Sequence, residues 1–170
     1  MTGLRYFKKF INLGPIILLY YLSISEIDSQ FENYFEILSF NLQLIVIYFW
    51  SLKRPEALGS GHVFFAGLIN DVVMGNPLGI SSISYLIIYF VSSYVKNMTV
   101  NTRITTDWFT FFIGIFFSNL VFFILVSKFS ELSISLTEMS YNTFFTLIFF
   151  PFFWFIFTFY NSLITSGRNV

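Results

Sequence analysis

A few polar side chains lie inside the long apolar stretches of this chain, and any chemistry would have to occur there. Asp71 follows Asn70 within one apolar run, and His62 lies near the start of the same run. A carboxylate in this setting can relay protons or cations, or it can accept hydrogen bonds from the free N–H groups that begin a helix. Because no other acidic or basic residue lies inside a predicted span to exchange a proton with, the sequence favours the structural role for Asp71.

The other residue types do not support an enzyme. The chain has no cysteine, which excludes thiolate catalysis and thiolate metal sites. Its one histidine, His62, cannot form a His-rich metal centre, and a hydrogen-bonded role near a membrane face is the favoured interpretation. Neither a phosphate-binding glycine loop nor an acidic metal cluster is present in the sequence. We therefore predict no catalytic residues, no metal and no cofactor, and the zero net charge gives no basic surface for nucleic acid.

The composition is that of a protein dissolved in lipid. Hydrophobic residues make up 56% of the 170 residues and charged residues 11%, whereas soluble domains have about 25% charged residues. We predict an all-α integral membrane protein, a single polytopic domain over 1–170 that folds as a six-helix transmembrane bundle. The apolar stretches place the helices near 10–24, 36–52, 61–74, 78–95, 108–127 and 141–163. The third stretch is the shortest and the richest in small and polar residues, so we expect it to face lipid least.

Positive charges set the predicted orientation. If the N-terminus is cytoplasmic, one side of the membrane holds eight basic residues and the other holds only Lys128. The eight are Arg5, Lys8, Lys9, Lys53, Arg54, Lys96, Arg103 and Arg168. This positive-inside bias predicts that both termini are cytoplasmic. The basic start followed by an apolar run resembles a secretory signal, but five further stretches favour a first helix that is retained. Tyrosine and tryptophan near the predicted helix ends, such as Tyr20 and Trp108, fit headgroup anchors.

Residues 53–79 depart most from generic membrane sequence. Arg54 marks the inner boundary, and Pro55 prevents the second helix from continuing. Gly67, beside Ala66, offers a thin surface that a neighbouring helix backbone can approach.

A turn is predicted directly after Asp71. Gly75 suits the left-handed position that ends a helix, while Asn76 and Pro77 suit the cap and first residue of the next one. Gly75 and Gly79 also match the G-x-x-x-G dimerisation pattern, but the intervening Asn-Pro favours a turn. Far along the chain, Pro151 within FFPFFWF predicts a kink in the sixth helix.

The region from Asn41 to Val91 resembles a known family. The matching elements are Arg54-Pro55, then Phe65-x-Gly67-Leu68-x-x-Asp71, then Gly75-x-x-Leu78-Gly79, with a weaker match at Phe150-Pro151. Together they resemble the bacterial rod shape-determining protein MreD family. The sequence departs from the family at Phe40-Asn41-Leu42, where many members carry a proline before the polar residue.

The resemblance implies a non-enzymatic scaffold subunit of the cell-elongation complex, which acts in rod shape and peptidoglycan synthesis at the bacterial inner membrane. It implies binding to the single-span protein MreC and, through it, to actin-like MreB, the glycosyltransferase RodA and a transpeptidase, with membrane lipid but no small-molecule substrate. The family is also similar in fold to the substrate-binding subunits of energy-coupling-factor vitamin transporters. The predicted partner-binding or structural residues are Arg54, Pro55, Gly67, Asn70, Asp71, Gly75, Leu78, Gly79 and Pro151.

That similarity in fold leaves a second function open, a solute-binding membrane subunit of a vitamin transporter. Such a subunit needs convergent polar groups, and the acidic set within 26–36 on the first outer loop is available. However, few polar residues line the predicted spans, and the first helix lacks the Ala-x-x-x-Ala surface that such subunits often show.

Overall fold

The part of the chain that the structure describes is helical apart from its turns. This computed structural model describes residues 2–25, 40–98, 103–129 and 135–166, with backbone only for 2–12 and 166. Its helices are α1 (Thr2–Ile24), α2 (Leu42–Lys53), α3 (Ser60–Met74), α4 (Ile80–Met98), α5 (Ile104–Phe129) and α6 (Leu136–Ser166). The predicted all-α class is confirmed. The acidic set within 26–36 and Arg168 lie outside the described residues.

Length and hydropathy together distinguish two of the described helices from the others. Two helices, at Ile104–Phe129 and Leu136–Thr165, are long and apolar enough to cross a membrane. The stretch Leu13–Ile24, α2 and α3 are apolar but shorter. Six full crossings therefore remain a prediction.

The helix α2 forms the centre of the packing. Every residue from Leu44 to Leu52 is buried, because α1, α4 and α6 all pack against α2. A helix that is apolar on all sides is stable either inside a protein core or in lipid, and here other helices of the same chain cover it. The expectation that the third helix would face lipid least is therefore wrong.

Helix α3 is instead two-sided. Ala66, Gly67, Asn70 and Asp71 lie on one buried stripe, whereas Phe65 and Val72 on the other side are 57% and 68% exposed. The prediction used the average composition of the segment, which does not distinguish one side of a helix from the other. Residues spaced three and four apart lie on the same helix face, so these four residues are gathered on one side.

Aromatic rings fill the space between α2 and the two long helices. Tyr48 packs edge-on against Phe111 of α5 and Phe150 of α6, and these two phenylalanines stack on each other at 4.5 Å between ring centres. Such ring pairs add to the free energy gained by burial alone.

Pro151 lies inside α6, which continues without interruption from Leu136 to Ser166. A proline has no N–H, so the carbonyl four residues earlier, that of Leu147, loses its helical donor. Trp108 of α5 supplies the replacement, because its Nε1–H donates to the Leu147 oxygen at 3.0 Å. The carbonyl that Pro151 leaves without a helical donor thus forms a hydrogen bond between α6 and α5. The kink predicted at Pro151 remains a prediction.

Replacing Trp108 by phenylalanine is expected to destabilise the protein by about 1–2 kcal/mol, the cost of an unsatisfied carbonyl away from water. In a Pro151→Ala background the same change should cost less, because the alanine N–H then satisfies Leu147. Thermal unfolding in detergent of the two single variants and the double variant measures this coupling. Equal losses in both backgrounds would contradict the replacement bond.

Candidate functional site in the α3–α4 hairpin

Asp71 caps the start of α4 from the end of α3. Its Oδ2 accepts from the Gly79 N–H at 2.7 Å and its Oδ1 accepts from the Ser81 N–H at 2.9 Å. The side chain is 0% exposed. A negative charge at a helix N-terminus interacts favourably with the free N–H groups and with the helix dipole. The structural role predicted for Asp71 is thus the one that its geometry shows, and both oxygens have backbone donors.

The turn between the helices depends on two glycines. Gly75 ends α3 in the left-handed conformation at φ 68°, and Gly79 has φ 102°. The N–H groups of Gly75 and Asn76 both return to the Asp71 carbonyl. Because Gly75 and Gly79 lie in a turn and not on one helix face, they cannot act as a G-x-x-x-G motif for helix dimerisation.

The predicted start of α4 is wrong by about one turn. Asn76 and Pro77 were expected to cap and begin the helix, but it starts at Ile80. The positive φ of Gly79 is incompatible with a helical residue at that position. The cap therefore comes from the Asp71 side chain, across the turn, and Leu78 is left 70% exposed at its tip.

Gly67 holds the two helices of the hairpin together at close range. A Cβ at this position would lie 2.5 Å from the backbone nitrogen of Ser82 and 2.8 Å from its Oγ. The Ser82 hydroxyl donates to the Phe64 carbonyl at 2.9 Å, across the same contact. The thin surface predicted at Gly67 is thus occupied by α4 of the same chain.

Replacing Gly67 by alanine is expected to cost about 1–3 kcal/mol, because the added methyl must push the α4 backbone away. Gly61 on the same helix is the matched control, since a Cβ there meets nothing within 4 Å. Gly61→Ala should leave stability unchanged or raise it by less than about 1 kcal/mol. Thermal unfolding of both variants tests this, and equal effects would contradict the close approach.

A single amide joins four helices beside the hairpin. Gln43 of α2 donates to the Leu22 carbonyl of α1 at 2.7 Å and to Asn70 Oδ1 of α3 at 3.1 Å, and it accepts from the Tyr85 hydroxyl of α4. Asn70 in turn donates to Ser81 Oγ at 3.1 Å. Asn70 and Asp71 therefore both bind Ser81, and Gln43, which the sequence analysis did not single out, is the centre of this network.

A second buried carboxylate lies elsewhere in the bundle. Asp107 is 0% exposed, and its Oδ2 lies 3.2 Å from Lys53 Nζ and accepts from Trp154 Nε1 at 3.2 Å. The sequence analysis began the fifth helix at residue 108 and so left Asp107 outside it. The prediction that no second acidic residue lies inside a span is therefore wrong, because α5 begins at Ile104. The available signal was an acidic residue in a helix first turn, facing a lysine at the end of α2 on the same predicted side.

The remaining predicted residues end α2. Pro55 lies in the turn that follows α2, and the Arg54 N–H closes the helix by donating to the Trp50 carbonyl at 2.7 Å. Arg54 is 9% exposed, and Glu56 approaches its Nε at 3.6 Å.

Comparison with known proteins gives one result that decides the family. The sequence model of the family described as rod shape-determining protein MreD matches residues 8–163. The chain belongs to this family. The match extends over nearly the whole chain and includes both the hairpin and Asp107.

The MreD family is a membrane protein family of the bacterial shape-determining system. It is not a known enzyme family. No curated relative and no solved structure matches the chain. The likeness in fold to vitamin-transporter subunits is therefore an expectation that no comparison supports.

The polar groups of this MreD family member hold helices together. Within the described ranges, no three His, Asp or Glu side chains converge as metal ligands would. His62 is hydrogen-bonded through Nδ1 to the Tyr20 hydroxyl at 3.2 Å, as its favoured interpretation requires. The arrangement is suited to fixing the geometry of the hairpin.

Proposed function

We propose that the protein is a non-enzymatic scaffold of the cell-elongation complex, with a six-helix transmembrane bundle in the bacterial inner membrane and both termini in the cytoplasm. It binds a single-span MreC-type partner and is linked through it to actin-like MreB, RodA and its transpeptidase. The observation that carries this proposal is the family match over residues 8–163. The internally bonded hairpin supports it, because a rigid element suits docking.

The tip of the hairpin is the surface we assign to the partner. Leu78 is 70% exposed and lines a groove of about 330 Å³. Pro77, Ile83 of α4 and Phe129 of α5 also line it. The turn lies at a predicted membrane face, where side chains meet water, and an exposed apolar patch in water marks an interaction site.

The buried hairpin residues act indirectly in this proposal. Gly67 and Asp71 are covered by α4, so they cannot touch a partner. They fix the conformation of the turn that carries Leu78. The solute-binding alternative gains no support, since apolar side chains dominate the lining of this groove.

Replacing Leu78 by serine is expected to leave the membrane level unchanged and to reduce co-purification of the single-span partner by about tenfold, the effect of losing one well-packed apolar side chain. The matched control is Leu163→Ser, since Leu163 is 60% exposed on α6. Quantitative pull-down from membranes measures both. Undiminished capture by the Leu78 variant would remove the hairpin tip from the proposal.

A further inference from the structure

The helices that reach the surface of the bundle differ in length from one side to the other. On one side α5 packs against α6, and both are long and apolar enough to cross a membrane. On the other side α3 packs against α1 and α4, and it has only 15 residues. This is about 22 Å of helix, whereas the hydrocarbon layer of a bilayer is about 30 Å thick.

The outer side of α3 is apolar and exposed. Its side chains include Phe65 and Val72, and the exposed surface continues over Phe90 of α4 to Phe116 of α5. Because this surface is continuous with that of a helix that can cross a membrane, lipid is the expected surrounding of α3. A partner helix is a poorer candidate, since helices in membranes pack through small residues and Gly67 is already occupied by α4.

The helix α3 falls short at its start and not at the hairpin turn. Because a tight turn joins them, α3 and α4 run antiparallel, and Gly67 lies against Ser82. Counting back along α3 from this contact places its first residue, Ser60, about level with Tyr89 of α4. The helix α4 continues from there to Met98, which is about 13 Å further along its axis.

The start of α3 carries polar groups that hydrocarbon cannot accommodate. No side chain caps its first N–H groups, because the cap position is occupied by Gly59. Ser60 and His62 are exposed, and so is Glu56 in the turn before them. Uncapped backbone donors and a carboxylate need water or headgroups around them. The membrane surface therefore has to reach Ser60 on this side, although the apolar part of α4 extends past that level to Val95.

We propose that the protein thins the bilayer locally, because the headgroups of one leaflet move inward to surround the start of α3. The inference rests on the proposed function in one respect, the crossing of the membrane by α3, and in the proposed orientation the thinned leaflet is the cytoplasmic one. Phospholipids with short acyl chains fit the thinned region with least strain, so they collect beside α3. Beside α5 the uncharged stretch from Trp108 to Ser127 is about 30 Å long and requires no thinning.

Single cysteines that carry a fluorophore test the lipid beside each helix, since the chain has no cysteine of its own. Phe65→Cys labels α3 and Phe116→Cys labels α5, and the two positions are equally exposed at 57%. The full-length protein is placed in vesicles that contain phosphatidylcholine with myristoleoyl chains and with oleoyl chains in equal amounts, and either lipid is brominated to quench the label. We expect the shorter lipid to be favoured about threefold beside α3 and neither lipid to be favoured beside α5.

Equal lipid preference at the two labels would overturn the proposal. So would a label on α3 that neither brominated lipid quenches, because protein would then cover this face. Val72→Cys repeats the α3 measurement at a second exposed position, so the result does not depend on the folding of one variant.

A label at the hairpin tip separates failure of this proposal from failure of the proposed topology. Leu78→Cys should react, in intact spheroplasts, with a maleimide that cannot cross the membrane. If it reacts and the lipid preferences are equal, the thinning is wrong and the topology stands. If it reacts only after the membrane is opened, α3 does not cross the membrane and both are wrong.

Discussion

Replacing Asp71 by leucine is expected to remove most of the folded protein from the membrane. The change leaves the N–H groups of Gly79 and Ser81 buried without an acceptor. Two charge-assisted hydrogen bonds are lost, at a cost of about 3–6 kcal/mol. That is a large share of the roughly 5–15 kcal/mol that stabilises a typical fold. Membrane level by immunoblot and the unfolding midpoint in detergent measure the effect.

The matched variant Asp71→Asn separates hydrogen bonding from charge and shape. Asparagine keeps one acceptor oxygen for α4, so we expect about half the loss of stability seen with leucine. Any remaining folded Asp71→Leu protein should capture less single-span partner, because the turn around Leu78 is no longer fixed. Normal abundance together with undiminished capture would show that the cap is dispensable for fold and docking alike.

Replacing Lys53 by methionine is expected to cost about 3–5 kcal/mol, because it leaves the Asp107 carboxylate buried with only the Trp154 N–H. The reverse change should cost less. The Lys53 side chain is 20% exposed, so without Asp107 its amine can reach water, whereas Asp107 at 0% cannot. Unfolding of Lys53→Met and Asp107→Asn, measured side by side, gives the asymmetry.

The double variant Lys53→Met, Asp107→Asn is the decisive control. It removes both charges and keeps an oxygen for Trp154, so most of the stability lost by Lys53→Met should return. If the two single losses simply add, the ion pair does not couple α2 to α5 and this account of Asp107 is wrong.

The hairpin shows what local sequence signals can predict. An acidic residue inside an apolar run needs donors, and the nearest free ones belong to the helix that follows, so the partners of Asp71 could be inferred. Gly75 was also assigned correctly, because a left-handed helix end strongly favours glycine. Both inferences depend on residues close together in the chain.

The failures come from contacts between distant segments. The role of Asp107 depends on Lys53 and Trp154, which lie far from it in sequence, and a boundary error of a few residues placed it outside the helix. Likewise, the burial of α2 depends on which helices surround it, and its aromatic residues alone could equally face lipid. Gln43 lies near the middle of the stretch predicted at 36–52, and the sequence alone does not show which neighbouring helices its amide contacts.

The shortness of α2 has a consequence for how the chain enters the membrane. Twelve residues of helix are about 18 Å long, against a hydrocarbon layer of about 30 Å. During synthesis this segment is a poor stop for the insertion machinery, and it gains its full covering only when α4 and α6 have been made. We therefore expect the bundle to be released into lipid as one late cooperative event, so that truncation after α5 leaves α2 accessible to proteases.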